Sequence, residues 1–558
     1  MSTTPVQELE FLCQADFLKE LQRIGTEAWL VANSSSDDGR SNSHFFSALI
    51  PNALIKSSLE RTDWDLGRMD TGPCWWTGYK DGKEVSGYSR LHHDNGIEPL
   101  VIWRVFHGMR DGYTEVCEEF RLFHNLYHDG QNRRFLKFND AGNEEAIIEY
   151  DGARTRIKLH ALREFAAAKE CHVAAFFESV RWGRYTLEGM GCQEERRESR
   201  EDLTSYGFVL CDAEMVLDKE KKSLSRIMGK KLIPPATTKA HRSRHADDSH
   251  YPEFIIGQNE SGELVRFTCD DEKLANYFGK NPEAPHYLTP VFFRREVLQK
   301  YYSNPAKYSV EDAYLRCGSL WGLRLDNDHP RHVTVFLGDL GRDLPAPERD
   351  YWKSFNIPPD GPGISDVNWK RGFMCEFTDP THPELKFKSA FEHFQRRHQE
   401  QFNWTLFKAL EPGDEHFLTT LRVPLTDDQA EFDAQVLALT KVLIDSINEK
   451  QVERGLTLAA QDRGITKLEK YLNSVGVTDI AQYIKFLRSL QELRSVSVAH
   501  RKGKSFAKIA VEFGMDKKDR ITVFEEILAS AVAFMEFLHK TLLPPDKHSP
   551  PSKPTSAE

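Results

Sequence analysis

The sequence predicts an α+β protein: an N-terminal mixed α/β body in two regions, followed by a C-terminal all-α helical bundle. Three observations lead there. Short strand-like runs, RRFLKFND, EEAIIEYDG and RTRIKLH, are punctuated by Asp-Ala-Gly and Asp-Gly turn signals in the first region. A hairpin pattern, EFIIGQNESGELVRFTC, opens a second α/β region. Near the C-terminus, four stretches repeat apolar residues at helical spacing.

In chain order, residues 1–218 form the first mixed region, in which an antiparallel meander leads to a helix, ALREFAAAKE, and a strand, HVAAFFESV. Residues 219–252 are expected as a charged linker or loop. They include the basic stretch KEKKSLSRIMGKK (Lys219 to Lys231) and a Pro- and His-containing segment. The second mixed region covers 253–423, with strands WGLRLDN and HVTVFLGDLG flanking a turn at Asp328 to Arg331. It ends in the helical run HPELKFKSAFEHFQRRHQEQFNWTLFKAL. Residues 424–543 make the bundle, and the Pro- and Ser-rich tail 544–558 is expected to be disordered.

Within the bundle, Thr426 and Gln429 fit a capping box. Phe432, Val436, Leu439, Leu443 and Ile447 then recur at helical spacing, and Gly455 is a stop signal. A shorter helix, Ile465 to Ser474, precedes one whose Ile480, Ile484, Leu487 and Leu490 share a face that Arg494 continues. The last helix places Phe524, Leu528, Ala531, Met535 and Leu538 on one side. One of these apolar faces is a candidate for dimerisation.

The chemistry concentrates in LRSVSVAHRKG, Leu493 to Gly503. Arg494 and His500 are six apart, which on an uninterrupted helix separates them by about 120°. A bend is needed to bring them together, and Val496, Val498, the serines and Gly503 make a helix end plausible there. Neutral His500 can accept the proton of an RNA 2′-hydroxyl. Arg494 can stabilise the charge developing on phosphorus, without a metal, because the RNA supplies its own nucleophile. Ser495 keeps a hydrogen-bonding group beside the Arg, and Arg501, Lys502, Lys504 and Lys508 can hold the RNA backbone. The bland alternative is a solvated basic helix end and a structurally paired Arg494.

This motif, an Arg and a His separated by a few residues within a C-terminal helical set, resembles the HEPN superfamily over roughly the last fifth of the chain. Nuclease members often carry Asn, Asp or His immediately after the Arg, where this chain has Ser495. The resemblance implies a metal-independent, cofactor-free RNA endonuclease with catalytic Arg494 and His500, acting as a homodimer whose groove forms between two such domains. It further implies anti-phage defence by abortive infection, with an N-terminal sensing body and a phage-derived trigger. A non-catalytic HEPN-like dimerisation or partner-binding protein is the second reading. The third is a metal-dependent enzyme of the N-terminal region.

That third reading rests on His124 and His128, which on one helix would share a face, with Glu119 and Asp129 beside them. His241, His245, Asp247, Asp248 and His250 form a ligand-rich stretch on an expected loop, and His92, His93 and Asp94 a smaller one. Cys74, Trp75 and Trp76 are expected in a core or on a partner-binding surface. The net charge of −11 argues against a general nucleic-acid coat. Nine cysteines without a C-x-x-C pair point to a reducing interior. No secretory signal or membrane-length apolar run is present, so a cytoplasmic location is expected. Nucleotide-binding and Ser-triad patterns are missing too.

Overall fold

Consecutive side chains on a strand face opposite sides, so two adjacent phenylalanines in a strand require cover on both faces of its sheet. Phe45 and Phe46 make this demand, as do Phe176 and Phe177, and all four are buried. Phe46 and Phe176 pack with Leu162 and Phe165 of the helix Leu159–Ala168. Phe45 and Phe177 pack with Leu12, Phe17 and Leu21 from the helices Pro5–Leu12 and Ala15–Arg23. Between these layers lies an antiparallel sheet of eleven strands, with Ser41–Pro51 and Cys171–Gly183 adjacent near its middle. The computed structural model describes residues 4–67, 73–89, 96–152, 154–213, 218, 220–237, 250–359, 363–496 and 504–544. They divide into two units, Met1–Asn139 with Asn143–Asp247, and Asp140–Gly142 with Asp248–Glu558.

The expected meander is present: Arg134–Phe138, Glu144–Tyr150 and Arg154–Lys158 pair in succession toward one end of the sheet. From Ser223 on, the basic stretch Lys219 to Lys231 is not a linker. Ser223–Ile233 is a strand between Thr204–Asp212 and Cys171–Gly183. Its Lys230 is fully buried and donates to the Asp65 carboxylate at 2.6 Å, while Arg226 pairs with Glu178. Of the alternating inward positions that would announce a strand, Ile227 is apolar, but Ser223, Ser225 and Gly229 are not. A β-carbon on Gly229 would lie 2.3 Å from the Ser205 carbonyl oxygen, so the close strand approach requires glycine. Of the expected linker, residues 219 and 238–249 lie outside the described residues.

In the second unit, Glu253–Gln258 and Leu264–Thr268 form the expected hairpin. The strands Trp321–Arg324 and His332–Phe336 belong to different three-stranded sheets, and LGDLGRD, Leu337–Asp343, is a helix rather than strand continuation. The helix Pro383–Phe402 contributes Phe387, Phe391 and Phe394 to one buried cluster with Phe432, Leu487 and Phe524. The bundle core therefore begins before residue 424.

The remaining helices follow the expected periodicity: Gln429–Thr440 continues into a π turn, Lys441–Asp445, and is followed by Gly464–Ser474, Ala481–Arg494 and Arg520–Leu542. An additional helix, Lys504–Glu512, lies between the last two. The cap of the first differs from expectation. Asp428 accepts from the Ala430 and Glu431 N–H groups, and the Thr426 hydroxyl donates instead to Glu431 at 2.8 Å. Asp succeeds there because its carboxylate satisfies two early N–H groups by itself. Phe524, Leu528, Ala531, Met535 and Leu538 are all buried within the chain, so this apolar face is already occupied.

Lys230 supplies a stability prediction. Removing one partner of a buried ion pair strands the other, at a cost of about 3–5 kcal/mol. Lys230→Ala and Asp65→Ala should each lower the free energy of denaturant unfolding by that order, while Lys230→Met with Asp65→Leu should recover most of it.

Candidate active site

Arg494 is the last residue of the helix Ala481–Arg494, next to the buried Leu493. It stands beside the buried face rather than within it, with 31% of its side chain exposed. Its Nη1 donates to both Asp445 carboxylate oxygens, at 2.9 and 2.8 Å. Asp445 closes the π turn Lys441–Asp445, in which Val442, Leu443 and Ile444 are buried. A π turn inserts one residue into a helix and re-aims the side chains after it, and such turns recur at functional sites. Sequence reasoning missed Asp445; its one signal was an acidic residue ending the apolar run VLI.

The α-helix Ala481–Arg494 passes into π-helical Ser495 and Val496, and the next described residues open the helix Lys504–Glu512, so the anticipated helix end lies outside the described residues. Ser495 donates its hydroxyl to the Gln491 carbonyl at 2.9 Å, a bond back into its own helix. Lys508 is exposed on the following helix. His500, Arg501 and Lys502 lie outside the described residues, as does the side chain of Lys504. Arg494 and His500 are therefore not brought together by any described geometry.

With both partners about one third exposed, the Arg494–Asp445 pair contributes no more than about 1 kcal/mol. A guanidinium makes charge-assisted bonds to phosphate of the same kind as it makes to carboxylate. The pair can thus exchange for an anion, and until then it holds the guanidinium in one orientation.

The rival metal site does not form. The helix that was to carry both histidines, Glu118–Phe123, stops at His124, and Asn125 adopts a left-handed φ of 49°. His124 is buried with Nε2 3.0 Å from the Ala161 carbonyl oxygen. His128 sits on the strand Tyr127–Asp129, its Nε2 2.6 Å from the Tyr150 hydroxyl. Glu119 pairs with Lys169 and Asp129 with Arg134. Among the described residues, no group of three or more His, Cys, Asp or Glu side chains is placed to hold a metal ion. His250 pairs with Asp350 at 3.0 Å; His92, His93, Asp94, His241, His245, Asp247 and Asp248 lie outside the described residues. Trp75 and Trp76 are not core residues, being 70% and 45% exposed on the hairpin of Cys74–Lys80 and Lys83–Ser89. No described helix is long and apolar enough to cross a membrane.

Comparison with protein-family models, curated proteins and solved structures finds no match to this chain.

Burial lowers the pKa of His124, and it does the same for His382 and His398. Their folded values lie below the ordinary 6.5, so the unfolded chain binds more protons between the two. This contribution to stability is complete above about pH 6.5 and is lost as pH falls through the folded values. Unfolding free energies measured from pH 8 to 5 should decline accordingly. His124→Gln should reduce the slope by at most one proton.

Proposed function

We propose that this chain is a metal-independent RNA endonuclease of HEPN type, controlled by an N-terminal sensing region and acting in anti-phage defence by abortive infection. The observation that supports this reading is Arg494: a partly exposed guanidinium in an all-α bundle, at the last α-helical residue before π-helical Ser495 and Val496, held by a carboxylate from a π turn. His500 follows in the interval before the next helix, and Lys508 lies on that helix. In the reaction, His500 takes the proton of the RNA 2′-hydroxyl, whose oxygen attacks the adjacent phosphorus and expels the 5′-oxygen of the next nucleotide, which takes up a proton from water. Arg494 stabilises the phosphorane charge. The products are a 2′,3′-cyclic phosphate and a 5′-hydroxyl. Two copies of the chain and a cytoplasmic location complete the proposal.

The Asp445 pair also favours a second reading, in which the bundle binds a partner and Arg494 is structural. The two differ in what Arg494→Ala does. For a nuclease, Arg494→Ala and His500→Ala each lower RNA cleavage by about 100-fold or more while the melting temperature barely moves. If both purified variants cut at the wild-type rate, the assignment is wrong. A variant with unchanged cleavage and a lower melting temperature favours the structural role.

Cleavage should also survive a chelator, spare RNA methylated at its 2′-hydroxyls, and weaken as pH falls and His500 becomes protonated. Light scattering on the full chain should report the mass of two copies.

A further inference from the structure

We propose that the first unit binds a nucleotide at one end of its large sheet, through Arg133 and Arg154 with Tyr113 as a base platform. This site is separate from the Arg494 motif and stands whether or not that motif cleaves RNA.

The argument begins with the charges at the end of the meander. On the strands Arg134–Phe138, Glu144–Tyr150 and Arg154–Lys158, Arg134 and Arg156 flank Glu149 across the sheet. Both have acidic partners: Arg134 donates to Asp129 at 2.8 Å, and Arg156 pairs with Glu149. The neighbouring Arg133 and Arg154 have none among the described residues, although both border a cleft of about 640 Å³. Of the two carboxylates that line the same cleft, Glu149 pairs with Arg156 and Asp151 accepts the Arg154 backbone N–H at 2.7 Å in the turn. Two exposed guanidiniums without counter-ions at one cleft suit a dianionic phosphate, which planar N–H forks bind in bidentate fashion.

A second cleft, of about 340 Å³, shares Arg133, Tyr150 and Asp151 with the first. Its wall includes Tyr113, 44% exposed and stacked on Phe106 with ring centroids 5.6 Å apart. The hairpin that carries Tyr113, Val101–Arg104 with Tyr113–Val116, is tied to the sheet where Asn33 donates to the Thr114 hydroxyl at 3.1 Å. An aromatic face therefore adjoins the unpaired arginines across a shared rim. Inorganic phosphate would use only the arginines, whereas a nucleotide uses both features, and the joined clefts have the size of small-ligand pockets.

The test is calorimetric titration of the full chain carrying His500→Ala, which keeps any RNA intact, with ATP, inorganic phosphate and a ten-residue oligouridylate. ATP should bind more tightly than phosphate. Arg133→Ala with Arg154→Ala should weaken ATP about tenfold or more, and Tyr113→Ala about fivefold or more. These exposed positions should leave the thermal melt unchanged. Equal affinity for phosphate and ATP would remove the base platform and overturn the nucleotide assignment. Oligouridylate binding far tighter than ATP would replace it with a strand-binding surface. Absence of ATP binding at millimolar concentration, or binding indifferent to the arginine variants, would end the proposal.

Discussion

Two buried carboxylates hold the second unit in register. Asp328, 6% exposed, accepts the backbone N–H groups of Thr381 and His382 at 2.7 and 2.9 Å, immediately before the helix Pro383–Phe402. Glu384, 1% exposed, accepts from Arg295 at 3.1 Å and from the Val423 N–H at 2.7 Å. Arg295 in turn donates to the carbonyls of Asn327 and His329, on either side of Asp328. A carboxylate removed from water costs several kcal/mol unless its oxygens are bonded, so these contacts tolerate little displacement. They fix where the helix starts and which face it turns toward the last helix, where Phe387, Phe391 and Phe394 are buried. The bundle around Arg494 is built on that helix.

Within this frame the electrostatics at Arg494 follow from exposure. Glu384 and Arg295 are too deeply buried to exchange partners cheaply, whereas Arg494 and Asp445 are each about one third exposed and can. Under the proposed activity the distinction is useful: a buried pair holds the scaffold, and a half-exposed pair orients a cation while leaving it available to phosphate. The chain's net charge of −11 makes local arrangement decisive, since no long-range attraction draws RNA to the protein as a whole.

Much of the fold was legible in the sequence wherever periodicity and burial coincide. Phe432, Val436, Leu439, Leu443 and Ile447 were read as one face and are all buried; the meander strands were read from short strand-like runs between turn signals and are paired as expected. The strand Ser223–Ile233 was lost because Ser223, Ser225 and Gly229 surround its inward Ile227 and weaken the apolar alternation, and because Lys230 is paid for by Asp65, 165 residues away in sequence. His124 and His128 were placed on one helix because their spacing fits one; the left-handed Asn125 that separates them has no sequence pattern strong enough to oppose it. Long-range pairing and single-residue backbone reversals are what a local pattern omits.

The candidate site divides along the same line. The helix end expected after Arg494 lies outside the described residues, whereas Arg494 itself was legible because it is a local property of LRSVSVAHRKG. Asp445 was not: it lies 49 residues earlier, and only the π turn brings its carboxylate to the guanidinium. A motif therefore identified the cation, and tertiary structure supplied the group that sets its orientation and its cost of release. Whether a half-exposed Arg in such a bundle acts on phosphate depends on that second group as much as on the motif. The Arg494–Asp445 pair is consequently the contact on which the catalytic and structural readings of this domain part.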